Sequence, residues 1–179
     1  QALADAMTIK EKKGKLNGTK VVYLGIANNV SNSLSLACAR TGADFTLCTP
    51  ERDPDSMDAE QLKGLRAMPN YHEEPSIDEA VKGADILYTD TWVNMEFFTD
   101  PKFEPEKKRR EQVLMPYQLN KALLEKAGPQ AFSMHDMPAH IGYEIDEYAL
   151  RGPHSLAFDQ AENRMWAQMA LLIKLVGKS

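Results

Sequence analysis

Short apolar runs alternate with helix-period segments along this chain, and that alternation restricts its fold more than any other feature. Residues 20–25 (KVVYLG) form a β-branched and aromatic run bounded by glycine, the pattern of a buried strand. An asparagine pair, Asn28-Asn29, follows, and then Val30, Leu34, Ala37, Cys38 and Thr41 at helical spacing before Gly42. Asparagine suits a helix start and glycine a helix end. Residues 44–49 (DFTLCT) predict a second strand, ended by Pro50; residues 85–92 (DILYTDTW), 131–137 and 155–158 predict three more. Further helices are expected from the start of the chain to Gly14 and over 58–67, 76–82, 117–126 and 143–149. In the 76–82 helix Ser76 is the cap and Glu79 its capping-box partner. A last helix over 160–176 carries an apolar stripe of Met165, Trp166, Met169, Leu172, Ile173 and Val176. Residues 94–107, with Pro101 and Pro105, read as a loop. Strands alternating with helices predict an α/β fold: one doubly wound, Rossmann-like parallel sheet of about five strands, with helices on both faces.

In such sheets ligands bind outside the carboxyl ends of the strands. That rule selects four loops: residues 25–29, 90–95, 135–140 and 159–164. A length of 179 residues suits a single domain, and a formal net charge of −5 gives no support to nucleic-acid binding. The one basic run, residues 107–110 (KKRR), lies between Glu106 and Glu111 and reads as a solvated helix start. No apolar stretch approaches the ~18 residues of a membrane span. Cys38 and Cys48, in apolar surroundings without a CxxC or Cys/His cluster, are expected as buried free thiols in a reducing, cytoplasmic setting. No metal is expected, because no second His or Cys stands at ligand spacing, and no cofactor is. The first strand–helix turn, Gly25-Ile-Ala-Asn-Asn-Val30, lacks the further glycines that let a backbone approach a pyrophosphate, which argues against dinucleotide binding.

Four segments at the selected loops resemble those of one family, the ornithine carbamoyltransferases. Gly25-Ile-Ala-Asn-Asn-Val30 resembles its strand–loop–helix segment with paired asparagines. Asp90-Thr-Trp-Val-Asn-Met95 is similar to its Asp-Thr-Trp-x-Ser-Met loop, Met134-His-Asp-Met-Pro-Ala-His140 to its His-Cys-Leu-Pro segment, and Phe158-Asp-Gln-Ala-Glu-Asn-Arg164 to its Glu-Ala-Glu-Asn-Arg segment. Their order and spacing carry the likeness over almost the whole chain. Gln1-Ala-Leu-Ala-Asp5 resembles the end of the family's His-Pro-x-Gln motif and the residues after it, with Gln1 as the motif's last residue. Nothing resembles the phosphate-gripping Ser-x-Arg-Thr-Arg of the family's other domain. The resemblance thus implies the amino-acid-binding half of a two-domain enzyme, with the carbamoyl phosphate half absent. It implies carbamoyl phosphate and an amine or amino acid as substrates, a trimer for the complete protein, and a monomer or weak dimer without activity for this half. The first and last helices, which pack on the other domain in the family, should then leave apolar stripes partly exposed.

Carbamoyl transfer needs a neutral amine held against a carbonyl carbon, stabilisation of the resulting oxyanion, and neutralisation of departing phosphate. By resemblance Asp90 accepts from the substrate α-ammonium, and Arg164 points toward the carbamoyl oxygen rather than pairing with Glu162. Asn29 has two readings, an amide for the substrate's α-end and a helix cap. Asn94, where the family has Ser, and Met95, through its N–H, belong to the loop over the substrate. Glu96 there replaces a glycine, and Phe97 and Phe98 add bulk. His135 and Met137 flank Asp136, which stands where the family has Cys beside the attacking amine. Asp136 is the candidate proton acceptor, provided it meets a neutral amine. The same departures admit a second reading, a catalytically silent paralogue that binds or senses an amino acid. His140 carries no assignment beyond a supporting one.

Overall fold

A computed structural model describes residues 1–56, 58–93 and 100–177. It holds a five-stranded sheet in the order β3-β2-β1-β4-β5, formed by β1 (Lys20–Ala27), β2 (Asp44–Arg52), β3 (Tyr71–Glu73), β4 (Ile86–Thr89) and β5 (Phe132–His135). Every pairing is parallel. The helices are α1 (Ala2–Lys13), α2 (Asn29–Thr41), α3 (Ala59–Arg66), α4 (Ile77–Val81), α5 (Glu104–Leu114), α6 (Lys121–Ala127), α7 (Glu147–Arg151) and α8 (Ala157–Val176).

The period-two rule sorts the strands between two cores. Val21, Tyr23, Phe45, Leu47, Ile86, Tyr88 and Met134 face Ile9 of α1, Leu34 and Cys38 of α2 and Leu65 of α3. Val22, Leu24, Cys48 and Leu87 face Val81 of α4, Leu124 of α6 and Ala149 and Leu150 of α7. The sheet is therefore covered on both sides, as the near-continuous apolar strands require. Cys38 and Cys48 are free and buried, and burial pushes both thiols up to about 12. Among the described residues no helix is long and apolar enough to cross a membrane.

Several boundaries differ from the sequence expectation, each for a local reason. The fifth strand is not 155–158, where a single bridge joins Ser155 to Ser133 before α8 begins. It is Tyr71–Glu73, an edge strand paired only with β2. β2 runs past Pro50 to Arg52 because a bulge falls there: Leu24 pairs with Cys48 and Ile26 with Glu51. The missing proline N–H is not asked for in the bulge, and β3 has already ended. β4 stops at Thr89, leaving Asp90 to Trp92 beyond the sheet. α5 begins at Glu104, inside the stretch read as loop. α6 and α7 start later than expected, at caps supplied by Asn120 and Asp146. Ser76 does cap α4, but its own N–H goes to Glu74 rather than Glu79. The basic run is only partly solvated: Arg109 pairs with Glu51 and Glu106, whereas Arg110 is buried and donates to the Trp92 carbonyl.

α8 is amphipathic in the reverse sense. Its buried face includes Gln160 and Asn163, while Met165, Trp166, Met169, Leu172, Ile173 and Val176 are exposed. Leu3 of α1 is exposed as well, so both terminal helices carry the open apolar positions that the resemblance implied. Inside, Asn163 donates to Thr8 and Glu11 of α1. Gln160 donates to Asp5 and to the Tyr88 hydroxyl and accepts the His135 N–H. Polar bonds thus dock this helix. Gln160→Leu should cost about 2–4 kcal/mol by stranding those buried partners, whereas Ile173→Ser should stay within about 0.5 kcal/mol. Urea unfolding of the two variants checks this, and the opposite order would mean that the apolar face docks α8.

Candidate active site

The chain winds from β1 toward β2 and β3 on one side, then returns to lay β4 and β5 on the other. The crevice at the carboxyl ends of β1 and β4 is the switch point where such sheets bind ligands. Asn28 leaves β1 there, Asp90 leaves β4, and Asp136 leaves β5. Thr89 pairs with His135 across β4 and β5, so Asp90 and Asp136 follow residues at one level on neighbouring strands. Ligand atoms of Asp90, His135 and Asp136 all lie within 4.8 Å of one another.

Asp90 is buried and held at both oxygens. The Asn28 amide donates to Oδ2 at 2.6 Å, and the Thr91 N–H donates to Oδ1 at 2.6 Å. Asn28 itself is fixed three ways: its Oδ1 accepts from the N–H groups of Val30 and Ser31, capping α2, and from the Tyr23 hydroxyl. The helix cap is therefore Asn28 and not Asn29, which is exposed on the first turn of α2. Gly25, at φ 110°, allows Trp92 to pack against β1; an added Cβ would stand 2.8 Å from the indole nitrogen.

Asp136 has a side chain 14% exposed. Its Oδ1 has no hydrogen-bond partner among the described residues. Burial, then the charge of neighbouring Asp90, pushes its carboxyl from the usual 3.8 up to about 9. Near neutral pH the site thus holds a protonated Asp136 beside Asp90. A third carboxyl, Asp5, is pushed up to about 6 by burial, against the lowering effect of hydrogen bonds from Gln1, Gln160 and Tyr88. Tyr23 and Tyr88, stacked at 5.6 Å, sit among these acids, and burial drives both phenols well above their ordinary range.

His135, expected to be catalytic, is instead enclosed. It is fully buried, its Nδ1 accepts the Met137 N–H at 2.9 Å, and its Nε2 faces Glu144 at 3.3 Å. These partners assign the ring proton to Nε2. A metal at Asp90, His135 and Asp136 would have to displace the Met137 N–H from the imidazole. Met137 adopts φ 60° before a cis bond to Pro138. With its N–H on His135 and its side chain against the core, it shapes the loop.

Arg164 is exposed on α8, with Nη1 3.5 Å from the Asp136 carbonyl oxygen. Glu162 instead accepts from the Trp166 indole at 3.4 Å. Gln1 donates to Asp5 at 2.7 Å and lines one cavity of about 260 Å³ with Arg164. The structure therefore gathers Asp90 and Asp136 at the switch point, with Arg164 at the Asp136 carbonyl and Gln1 lining a cavity with Arg164. Asn94 and Met95 lie outside the described residues. Sequence reasoning missed Asn28 as the partner of Asp90; the paired asparagines signalled it, but both were candidates for one cap. It also left Glu144 and Arg110 aside, since an acid near a helix start and an arginine in a basic run look solvated.

The raised carboxyl of Asp136 has a consequence for stability. Between about pH 4 and 9 the folded protein keeps a proton that the unfolded chain has lost, so stability falls as pH rises through that window. Asp136→Asn should match the parent near pH 4 and exceed it by at least about 1 kcal/mol at pH 9. Urea unfolding across this range measures the difference, and parallel curves would contradict the assignment.

Residues 17–175 match the family model described as the Asp/Orn binding domain of aspartate/ornithine carbamoyltransferase. The ornithine carbamoyltransferase of Thermococcus kodakarensis is 39% identical over 180 residues, covering 99% of this chain and 55% of that relative. That of Hyperthermus butylicus is 44% identical over 178 residues, covering 96% and 54%. Among solved structures, ornithine carbamoyltransferase from Pyrococcus furiosus superimposes with a TM-score of 0.82 at 38% identity, over 99% of this chain and 56% of that one. The chain spans about half the length of the curated relatives it matches.

Proposed function

Since this chain belongs to the aspartate/ornithine carbamoyltransferase family, we propose that it is the amino-acid-binding domain of a two-domain enzyme. That enzyme moves the carbamoyl group of carbamoyl phosphate onto an amine of an ornithine-like amino acid. The observation that carries this reading is Asp90, a buried carboxylate anchored at both oxygens and set at the switch point within reach of a second acid. Such a carboxylate suits an α-ammonium group. Asn29, exposed at the start of α2, with Asn94 and Met95, serves the substrate's carboxylate end. Arg164, beside the Asp136 carbonyl, and Gln1, which shares a cavity with Arg164, serve the carbamoyl oxygen. Met137 and His135 support the loop. The phosphate cradle belongs to the other domain, and the complete enzyme is a trimer working in the reducing cytoplasm. By itself this chain is a monomer or weak dimer.

Asp136 first gives up its own proton to solvent, which at pH 7 costs about 3 kcal/mol against its value of about 9, and as a carboxylate it then receives the amine's proton. A side-chain primary amine titrates near 10.4, so handing its proton to an ordinary carboxylate costs roughly 9 kcal/mol. With Asp136 raised to about 9, that cost falls to about 2 kcal/mol. The neutral nitrogen attacks the carbamoyl carbon, the C–O bond to phosphate breaks, and phosphate leaves with the electron pair and the nitrogen's surplus proton.

Two experiments test the reading. The complete protein, given carbamoyl phosphate and a panel of diamino acids and diamines, should release phosphate and a carbamoylated product. Binding without product would favour the silent amino-acid binder. In equilibrium binding, Asp90→Asn should weaken the amino acid roughly tenfold to a hundredfold. Because a cationic ligand expels the proton of Asp136, affinity should rise about tenfold per pH unit from pH 7 and level off above pH 9. Asp136→Asn should flatten that slope; an unchanged slope would remove Asp136 from its role.

A further inference from the structure

We propose that Glu144 is a positioning residue of this site, acting through His135 and His140 to hold the Asp90 and Asp136 loops at a fixed separation. What the site binds rests on the reading above, but the contacts do not. Glu144 is 1% exposed, and its backbone is pinned to the segment that leads into α6. Its carbonyl accepts from Leu119 at 2.9 Å, and the neighbouring Tyr143 carbonyl accepts from the Gln118 amide. From that fixed point its Oε1 reaches inward. It accepts the His140 N–H and lies 3.3 Å from His135 Nε2.

Each imidazole passes the constraint to one acid. The His135 proton on Nε2 leaves Nδ1 to accept the Met137 N–H, which fixes the turn carrying Asp136. The Thr91 hydroxyl gives its proton to the Val93 carbonyl at 3.0 Å, so it accepts from His140 Nδ1 at 3.2 Å. Thr91 also presents the N–H that holds Asp90. One carboxylate therefore ties both loops. Burying a carboxyl costs stability that an apolar side chain would spare, so this position is occupied for its geometry.

The test uses Glu144→Leu, Glu144→Gln and Ile145→Ala, the last a destabilising control next door. The titration midpoint of Asp136, followed by carboxyl carbon NMR, reports how far Asp136 is buried and how close it stands to Asp90. It should fall by at least about one unit in Glu144→Leu, as the loops part and water enters. It should hold in Ile145→Ala and recover in Glu144→Gln, which keeps an acceptor oxygen. Ornithine affinity should drop about tenfold in Glu144→Leu. If that variant does not fold, Thr91→Val cuts the same link while leaving Glu144 in place and should lower the midpoint likewise. An unmoved midpoint in Glu144→Leu or Thr91→Val overturns the proposal. A lowered midpoint in a parent protein that binds no amino acid would uphold Glu144 and overturn only the reading of the ligand.

Discussion

The pairing of Thr89 with His135 is the constraint on which the rest of this site depends. Neighbouring strands stand about 4.8 Å apart in a sheet, and each acid is the first residue after its strand. The backbone ladder therefore brings the two acids to one level on neighbouring strands. Contacts within the loops, those of Glu144 among them, then set their final spacing and direction. Asp90 is aimed by the Asn28 amide and the Thr91 N–H, and the turn carrying Asp136 by a bond between Met137 and His135.

Among the described residues, no Lys or Arg pairs with the carboxyls of Asp5, Asp90 or Asp136, Arg164 reaching only the Asp136 carbonyl. Asp5, Asp90 and Asp136 are surrounded by amides, phenols and backbone N–H groups, which orient a carboxyl without cancelling its charge. A salt-bridged carboxylate would stay ionised and indifferent to its ligand. Here burial and the charge of Asp90 keep the proton on Asp136 near neutral pH. The elements that form this setting are the central strands and the inner faces of α1 and α8, so the site is continuous with the core.

The central strands could be read from the sequence because each is covered on both faces, and KVVYLG or DFTLCT is apolar throughout. Tyr71–Glu73 could not: it is three residues long, two of them exposed, and its strand character comes from its β2 neighbour. Ser-Leu-Ala-Phe at 155–158 misled in the opposite way, since Leu156 and Ala157 are buried by the onset of α8 and not by a ladder. The site was legible at Asp90 and Asp136, where a charge follows an apolar run. It was not legible at Gln160, whose buried partners Asp5 and Tyr88 are far away in the chain, nor at Glu144 and Arg110, which are buried by loops that fold back on them. His135 shows the limit from the other side: the residue type suggests chemistry, and only the enclosure by Glu144 and Met137 shows that it supports the loop.

The polar seam between α1 and α8 bears on the order of folding. The bonds from Gln160 to Asp5 and from Asn163 to Thr8 each join residues 155 apart in sequence. Contacts that close so long a loop form late. During synthesis the first helix emerges with its buried partners still unmade, and it waits for the last helix before Asp5 has its full set of donors. The buried contacts of Tyr88 and His135 with Gln160 are therefore completed only as the two ends of this segment meet.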